Sequence, residues 1–129
     1  MKFNDVEMQR IREIAESGQD GPVLMINIDQ YSLEAGFPSG ELYKRYMTIL
    51  AKIVPAVGGR ILWRYIVSGQ VVGEQEAHEV LAAWYPTHQA FLNLRNAPDA
   101  EESFSLRALA VQSAVIHRVF ENAVPVEKG

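Results

Sequence analysis

Three histidines, His78, His88 and His117, are the side chains of this sequence best suited to move a proton near neutral pH. None of the three stands at the short spacing by which one strand or helix presents a pair of metal ligands, so no metal site is expected. His117 lies beside Arg118 in a run of branched residues. In a cleft it would serve as a general base, and at a subunit interface as a hydrogen-bonded structural histidine. Asn27 would complete a catalytic pair with it by orienting a carbonyl or an oxygen intermediate; the alternative is an interface hydrogen bond. Asp29, close to a strand end, reads as solvated. Arg107 carries the planar fork that clamps a carboxylate, unless it pairs with Glu101, Glu102 or a partner subunit. His88 follows a capping Thr87 and either lines a pocket or faces solvent. Trp63, Trp84 and Tyr46, with Tyr43, Tyr65 and Tyr85, would wall an aromatic pocket or simply form core.

Other chemistries lack their residues. There is no cysteine, which removes thiol catalysis, iron–sulfur clusters and cysteine-ligated zinc. No serine stands in a G-x-S-x-G elbow, and Gly58-Gly59 has no phosphate-loop pattern around it. No cofactor is expected. The formal charge of −4 comes with scattered basic residues, against a nucleic-acid footprint. No run of 18 apolar residues occurs, and Met1 to Asp5 lack an apolar stretch. No membrane association and a cytoplasmic location are the expectation.

The elements that must carry these side chains can be read from periodicity. Residues 1–20 read as a helical extension, capped at Asn4 or Asp5 and ended by Ser17-Gly18 through Pro22. Val23 to Tyr31 is a strand with Leu24, Ile26 and Ile28 on the face expected to take the helices. From Ser39 or Gly40 a helix runs to about Val54 on the stripe Leu42, Tyr46, Ile49, Leu50 and Ile53. Arg60 to about Val72 reads as a strand with Ile61, Trp63, Tyr65 and Val67 on one face, and Glu79 to Tyr85 as the next. A broken helix follows, first from His88 to Asn96 and then after Pro98-Asp99, with Phe104, Ala108 and Val111 inward. Ser113 to Phe120 is the last strand, and residues 122–129 are a loose tail.

One domain is expected from 129 residues, its core spanning residues 22–121. Its order is β-α-β-β-α-β after an extra N-terminal helix. That is an α+β, ferredoxin-like split βαβ unit: a four-stranded antiparallel sheet with its helices on one face. The uncovered face would show Met25, Trp63, Tyr65, Val115 and Val119, an apolar exposure that a twofold dimer would remove.

Several segments carry a family likeness over residues 23–120. They are the strand ending in Tyr31, Tyr43 and Tyr46 in the first core helix, Gly58-Gly59-Arg60, the stretch Tyr85-Pro86-Thr87-His88-Gln89-Ala90-Phe91-Leu92, Pro98-Asp99 and Arg107-Ala108. On these the chain resembles the bacterial family called domain of unknown function 1330, of the dimeric α+β barrel superfamily. The resemblance implies a homodimeric barrel; Arg107 matches the family's helical arginine. The N-terminal helix departs from the simplest family pattern. Fold alone leaves activity open. The first reading is an uncharacterised homodimer that binds a small aromatic or carboxylated metabolite between sheet and helices. The second is a cofactor-free monooxygenase or isomerase. The third is a structural or regulatory dimer with no pocket.

Overall fold

Asn4 starts the first helix by satisfying two backbone amides at once. Its side chain accepts from the Glu7 amide at 2.8 Å, and the Glu7 side chain accepts from the Asn4 amide at 3.0 Å. Helix α1 then covers Asp5–Ala15. The computed structural model that shows this describes residues 3–120, so the expected tail at residues 122–129 lies outside the described residues. The elements after α1 are β1 (Val23–Tyr31), α2 (Glu41–Ala56), β2 (Arg60–Ile66), β3 (Glu79–Tyr85), α3 (His88–Leu92), a 3-10 turn (Asn93–Asn96), α4 (Ala100–Ala110) and β4 (Val111–Val119). The sheet order is β2-β3-β1-β4, with every neighbouring pair antiparallel. This is the ferredoxin-like arrangement expected from the element order, with the extra helix in place.

Thr87 caps α3 as expected, accepting from the Ala90 amide at 3.0 Å. Asp99 precedes α4 with φ at 68°, the left-handed conformation that an aspartate tolerates. Gly59 enters β2 under tight constraint: a Cβ there would lie 2.9 Å from the Trp84 carbonyl oxygen and 2.9 Å from the Tyr85 ring.

Three faces differ from the sequence reading. On β1, Val23, Met25, Asp29 and Tyr31 are buried against the helices, while the alternate row Leu24, Ile26 and Ile28 turns to the other face. Both rows are apolar enough to be core. In the observed register Tyr31 of the inward row donates its hydroxyl to Glu79 of β3, which also accepts from Tyr43 of α2. Met25 therefore leaves the expected open face, on which Trp63, Tyr65, Val115 and Val119 remain exposed. On β2, the register shifts between Ile61 and Trp63. That bulge puts Ile61 against the core and Trp63 on the opposite side. Strand β2 also stops at Ile66 rather than near Val72, and Gly69 and Gly73 take positive φ just beyond it. On α4, the buried residues are Ala100, Ser103, Leu106, Arg107 and Ala110, not Phe104 and Ala108; Leu109 is exposed.

The core forms two clusters between sheet and helices. One joins Val23, Met25, Leu81, Ala83 and Tyr85 to Ile53, Val54 and Phe91. The other joins Tyr31 and Val111 to Tyr43, Tyr46, Ile49 and Leu106.

Candidate functional site

Between sheet and helices lies a layer of ionisable side chains. Asp29 on β1 and Glu79 on β3 are cross-strand partners, and both are buried. Glu79 is 1% exposed. Its Oε1 accepts from the Tyr31 hydroxyl at 2.6 Å and its Oε2 from the Tyr43 hydroxyl at 2.5 Å. Arg64 of β2 donates to the Tyr43 hydroxyl and approaches Glu79 Oε2 at 3.4 Å, with its side chain 45% exposed. The carboxylate thus has a donor on each oxygen and a cation at the rim, the compensation a buried charge requires. Burial pushes the Tyr31 and Tyr43 hydroxyls well above the usual phenol range, and donation to Glu79 adds to it.

Asp29 is the less compensated carboxylate. Burial pushes its pKa up to about 6; nearby Arg107 opposes that shift and Glu79 adds to it. Its Oδ1 has no hydrogen-bond partner. The expectation of a solvated Asp29 is overturned, because the strand turns its odd-numbered row inward. Arg107, buried on α4, donates to the Tyr46 hydroxyl at 3.1 Å, and its guanidinium sits 4.5 Å from the centre of the Phe3 ring. Glu102, one of its expected partners, approaches Arg45 instead at 3.8 Å. Asn27, Asp29, Tyr46, Ser103 and Arg107 all border a small cavity of about 50 Å³. At the other end of the layer, His78 stacks on Phe37, and its Nδ1 accepts from the Tyr31 amide at 2.8 Å. The neutral ring therefore carries its proton on Nε2.

A much larger cleft, about 990 Å³, opens between α1 and the helix-side face of the sheet. Its apolar walls include Phe3, Ile11, Met25, Phe91 and Ile116, and Arg10, Arg107 and Arg118 line it as well. His88 is in this wall and is buried, contrary to the solvent-facing alternative. Asp20, in the turn after α1, holds it. Asp20 Oδ1 accepts from the His88 amide at 2.7 Å and lies 2.8 Å from His88 Nδ1; Oδ2 accepts from the Gln89 amide at 3.1 Å. Burial works to raise the Asp20 pKa, but these amides and the His88 ring outweigh it and hold the carboxyl below its ordinary value.

The expected site residues therefore divide between the two sides of the sheet. Arg107, Tyr46 and Asn27 meet at the small cavity, and Arg107 and His88 share the cleft. His117 is exposed on β4 opposite Ile26, on the open face, so the expected pairing of His117 with Asn27 is not formed. The sheet separates them, and Asn27 instead donates to the Met25 carbonyl at 3.2 Å. Trp63 and Trp84 are also on the open face and wall no pocket with Tyr46; Trp84 stacks with Arg60 at 5.0 Å. Glu79, Tyr31, Arg64 and His78 were not anticipated as site residues. The available signal was phase: Glu79 alternates with Leu81, Ala83 and Tyr85, which makes it an acid in step with an apolar row.

No family model matches the chain, and no curated protein matches it. Solved structures do. The chain is similar to the RPA0582 protein of unknown function from Rhodopseudomonas palustris, with a TM-score of 0.77 and 21% identity over 96% of this chain and 97% of that one. A methylated form of RPA0582 superposes with a TM-score of 0.75 and 22% identity, covering 99% of this chain and 96% of that one. A dabb family protein with a ferredoxin-like fold, mll5499 from Mesorhizobium loti, gives a TM-score of 0.54 at 14% identity, over 83% and 99% of the two chains. At these identities the likeness is one of fold: the chain is an α+β protein of ferredoxin-like architecture. No helix among the described residues is long and apolar enough to cross a membrane.

Proposed function

We propose that this chain is a cytoplasmic bacterial protein that binds a small amphipathic metabolite, aromatic or carboxylated, in the cleft under α1, and that two copies pair through their open sheet faces. The carrying observation is the cleft itself. Its volume of about 990 Å³ suits a small-molecule site, and its apolar walls with three arginines suit an apolar body bearing an anionic group. Dimerisation is supported by the exposed Trp63, Tyr65, Val115 and Val119 on the face without helices. Membership of domain of unknown function 1330 is supported by the matching segments around Tyr85 to Leu92 and at Arg107-Ala108. The lack of cysteine fits a reducing compartment.

Native mass spectrometry of the freshly purified protein tests both parts, followed by denaturing analysis of whatever is released. The expected result is a dimer carrying a small acid. A monomer sinks the pairing. The cleft is tested separately with the fluorescent anion 1-anilinonaphthalene-8-sulfonate. It should brighten with the parent protein and not with Ala114→Trp, which places an indole in the cleft. Equal brightening with both would rule the cleft out as the site.

A further inference from the structure

His88 combines three features that a plain core histidine does not need together. It is 2% exposed yet stands in the wall of the cleft under α1. Its Nδ1 is fixed by a carboxylate at 2.8 Å. Its Nε2, at the other end of the ring, is buried with no hydrogen-bond partner. An ionised carboxylate only accepts, so Asp20 keeps the proton on Nδ1 and leaves the Nε2 lone pair of the neutral ring available. Asp20 is itself held by three backbone amides, those of Gly21, His88 and Gln89, which fixes its direction. A buried, unpartnered nitrogen costs stability unless something at the site uses it.

We propose that Asp20 and His88 form a proton-accepting dyad in the cleft wall, with His88 Nε2 taking the proton of a weakly acidic hydroxyl, phenolic or enolic, on a bound aromatic ligand. The inference rests on the cleft being the ligand site. The step balances without a co-reactant: the ligand O–H bond breaks, an N–H bond forms at Nε2, and the electron pair stays on the ligand oxygen as phenolate or enolate. The imidazolium is offset by Asp20. The cleft's other charges are Glu7, Arg10 and Glu13 from α1, Arg107 from α4 and Arg118 from β4, and its arginines favour the anion formed. Phe3 and Phe91 supply faces for the ring. His88 is the group that touches the ligand; Asp20 is a positioning residue acting through the ring.

The test uses the full chain and 4-nitrophenol, whose ionised form has its own visible absorbance, about one unit below the free phenol's pKa. Binding is measured independently by equilibrium dialysis. In the parent protein the bound phenolate-to-phenol ratio should rise about tenfold over free solution, one pKa unit. His88→Gln should bind the phenol without that rise. Nitrogen NMR of His88 should show Nδ1 protonated and Nε2 bare in the free protein, with Nε2 gaining a proton when 4-nitrophenol is added. Asp20→Asn keeps an acceptor at Oδ1, fixed by the Gly21 and His88 amides, but removes the charge that offsets the imidazolium, so it should bind the phenol with a smaller absorbance rise than the parent. Binding by the parent without ionisation, or ionisation that survives in His88→Gln, overturns the dyad and leaves the cleft reading standing. No binding at all overturns the cleft reading and the dyad with it. If Asp20→Asn fails to fold, the His88→Gln and NMR outcomes still decide.

Discussion

The two faces of this sheet reverse the usual assignment of polar and apolar side chains. The helix-side face buries Asp29, Glu79 and Arg107 with the hydroxyls of Tyr31, Tyr43 and Tyr46. The open face leaves Trp63, Tyr65, Val115 and Val119 in contact with water. The inner face can hold charge because the Tyr31 and Tyr43 hydroxyls pair with the Glu79 carboxylate and the Tyr46 hydroxyl with Arg107. Among the described residues the outer face shows no comparable buried carboxylate–hydroxyl network. The inner face is thus completed by its own side chains, and the open face carries the apolar exposure on which the proposed pairing of copies rests.

The largest expected effect follows from removing the acceptor that organises the inner face. Glu79→Ala leaves two buried tyrosine hydroxyls without their carboxylate and a rim arginine without its counter-charge. A loss of about 4 kcal/mol in unfolding free energy is expected, measured by urea titration. Tyr65→Ala on the open face, assayed at concentrations where the chain is monomeric, should cost under about 1 kcal/mol. If the two costs were equal, the contrast between the faces would be an accident of packing.

Asp29 tests the same face by pH. Its folded pKa of about 6 lies above the ordinary aspartate value of 3.8, so between those values the folded state holds more protons than the unfolded one. Stability is then greatest at the acid end of that window and falls as pH rises through about 6, by about 3 kcal/mol in total. Asp29→Asn should remove that slope from a series of urea titrations between the two pH values. An unchanged slope would mean that another group titrates there.

How much of this was legible in the sequence differs by level. The element order, the Asn4 and Thr87 caps and the extra helix follow from local chemistry, and the structure has them. The faces of β1 do not. Leu24, Ile26 and Ile28 make as good a core row as Val23, Met25 and Tyr31, and a one-residue choice exchanges them. The choice depends on Glu79, which lies 48 positions from Tyr31 and 36 from Tyr43 and meets both only through the fold. The Ile61/Trp63 bulge is likewise invisible in the alternation of β2. His117 and Asn27 were paired on side-chain chemistry, a base with a group that orients a carbonyl, yet odd positions of β1 and β4 lie on opposite faces through their register. The hydrogen bond from Arg107 to Tyr46 was not foreseen either: the partners expected for Arg107 were a ligand carboxylate, Glu101, Glu102 or a partner subunit, and only the packing of α4 on α2 brings the two side chains together.

The open face offers a smaller but sharper test. Trp63→Arg adds a charge among exposed apolar groups while leaving the inner layer untouched. If two copies pair there, sedimentation should show the dimer dissociation constant rising about a hundredfold, near 2.7 kcal/mol. The monomer's own unfolding midpoint should move little. A dimer that persists with unchanged affinity would place the pairing elsewhere and leave the apolar face without the partner proposed for it.

The smallest effect comes from the edge of the inner face, where α1 closes the cleft. Asn4→Ala removes the side-chain acceptor of the Glu7 amide and breaks the reciprocal cap. The expected loss is about 1 kcal/mol, seen as a modest fall in thermal midpoint. The substitution lies outside the paired tyrosines, so the pH slope carried by Asp29 should remain. Affinity for 1-anilinonaphthalene-8-sulfonate should drop in parallel, because Glu7, Arg10 and Ile11 line the cleft from the helix that the cap starts, with Phe3 just ahead of the cap. A lower midpoint with unchanged probe affinity would show that α1 is a separate brace on the fold. The binding role would then pass to the facing wall, Met25 and Ile116 from the sheet with Phe91 from α3.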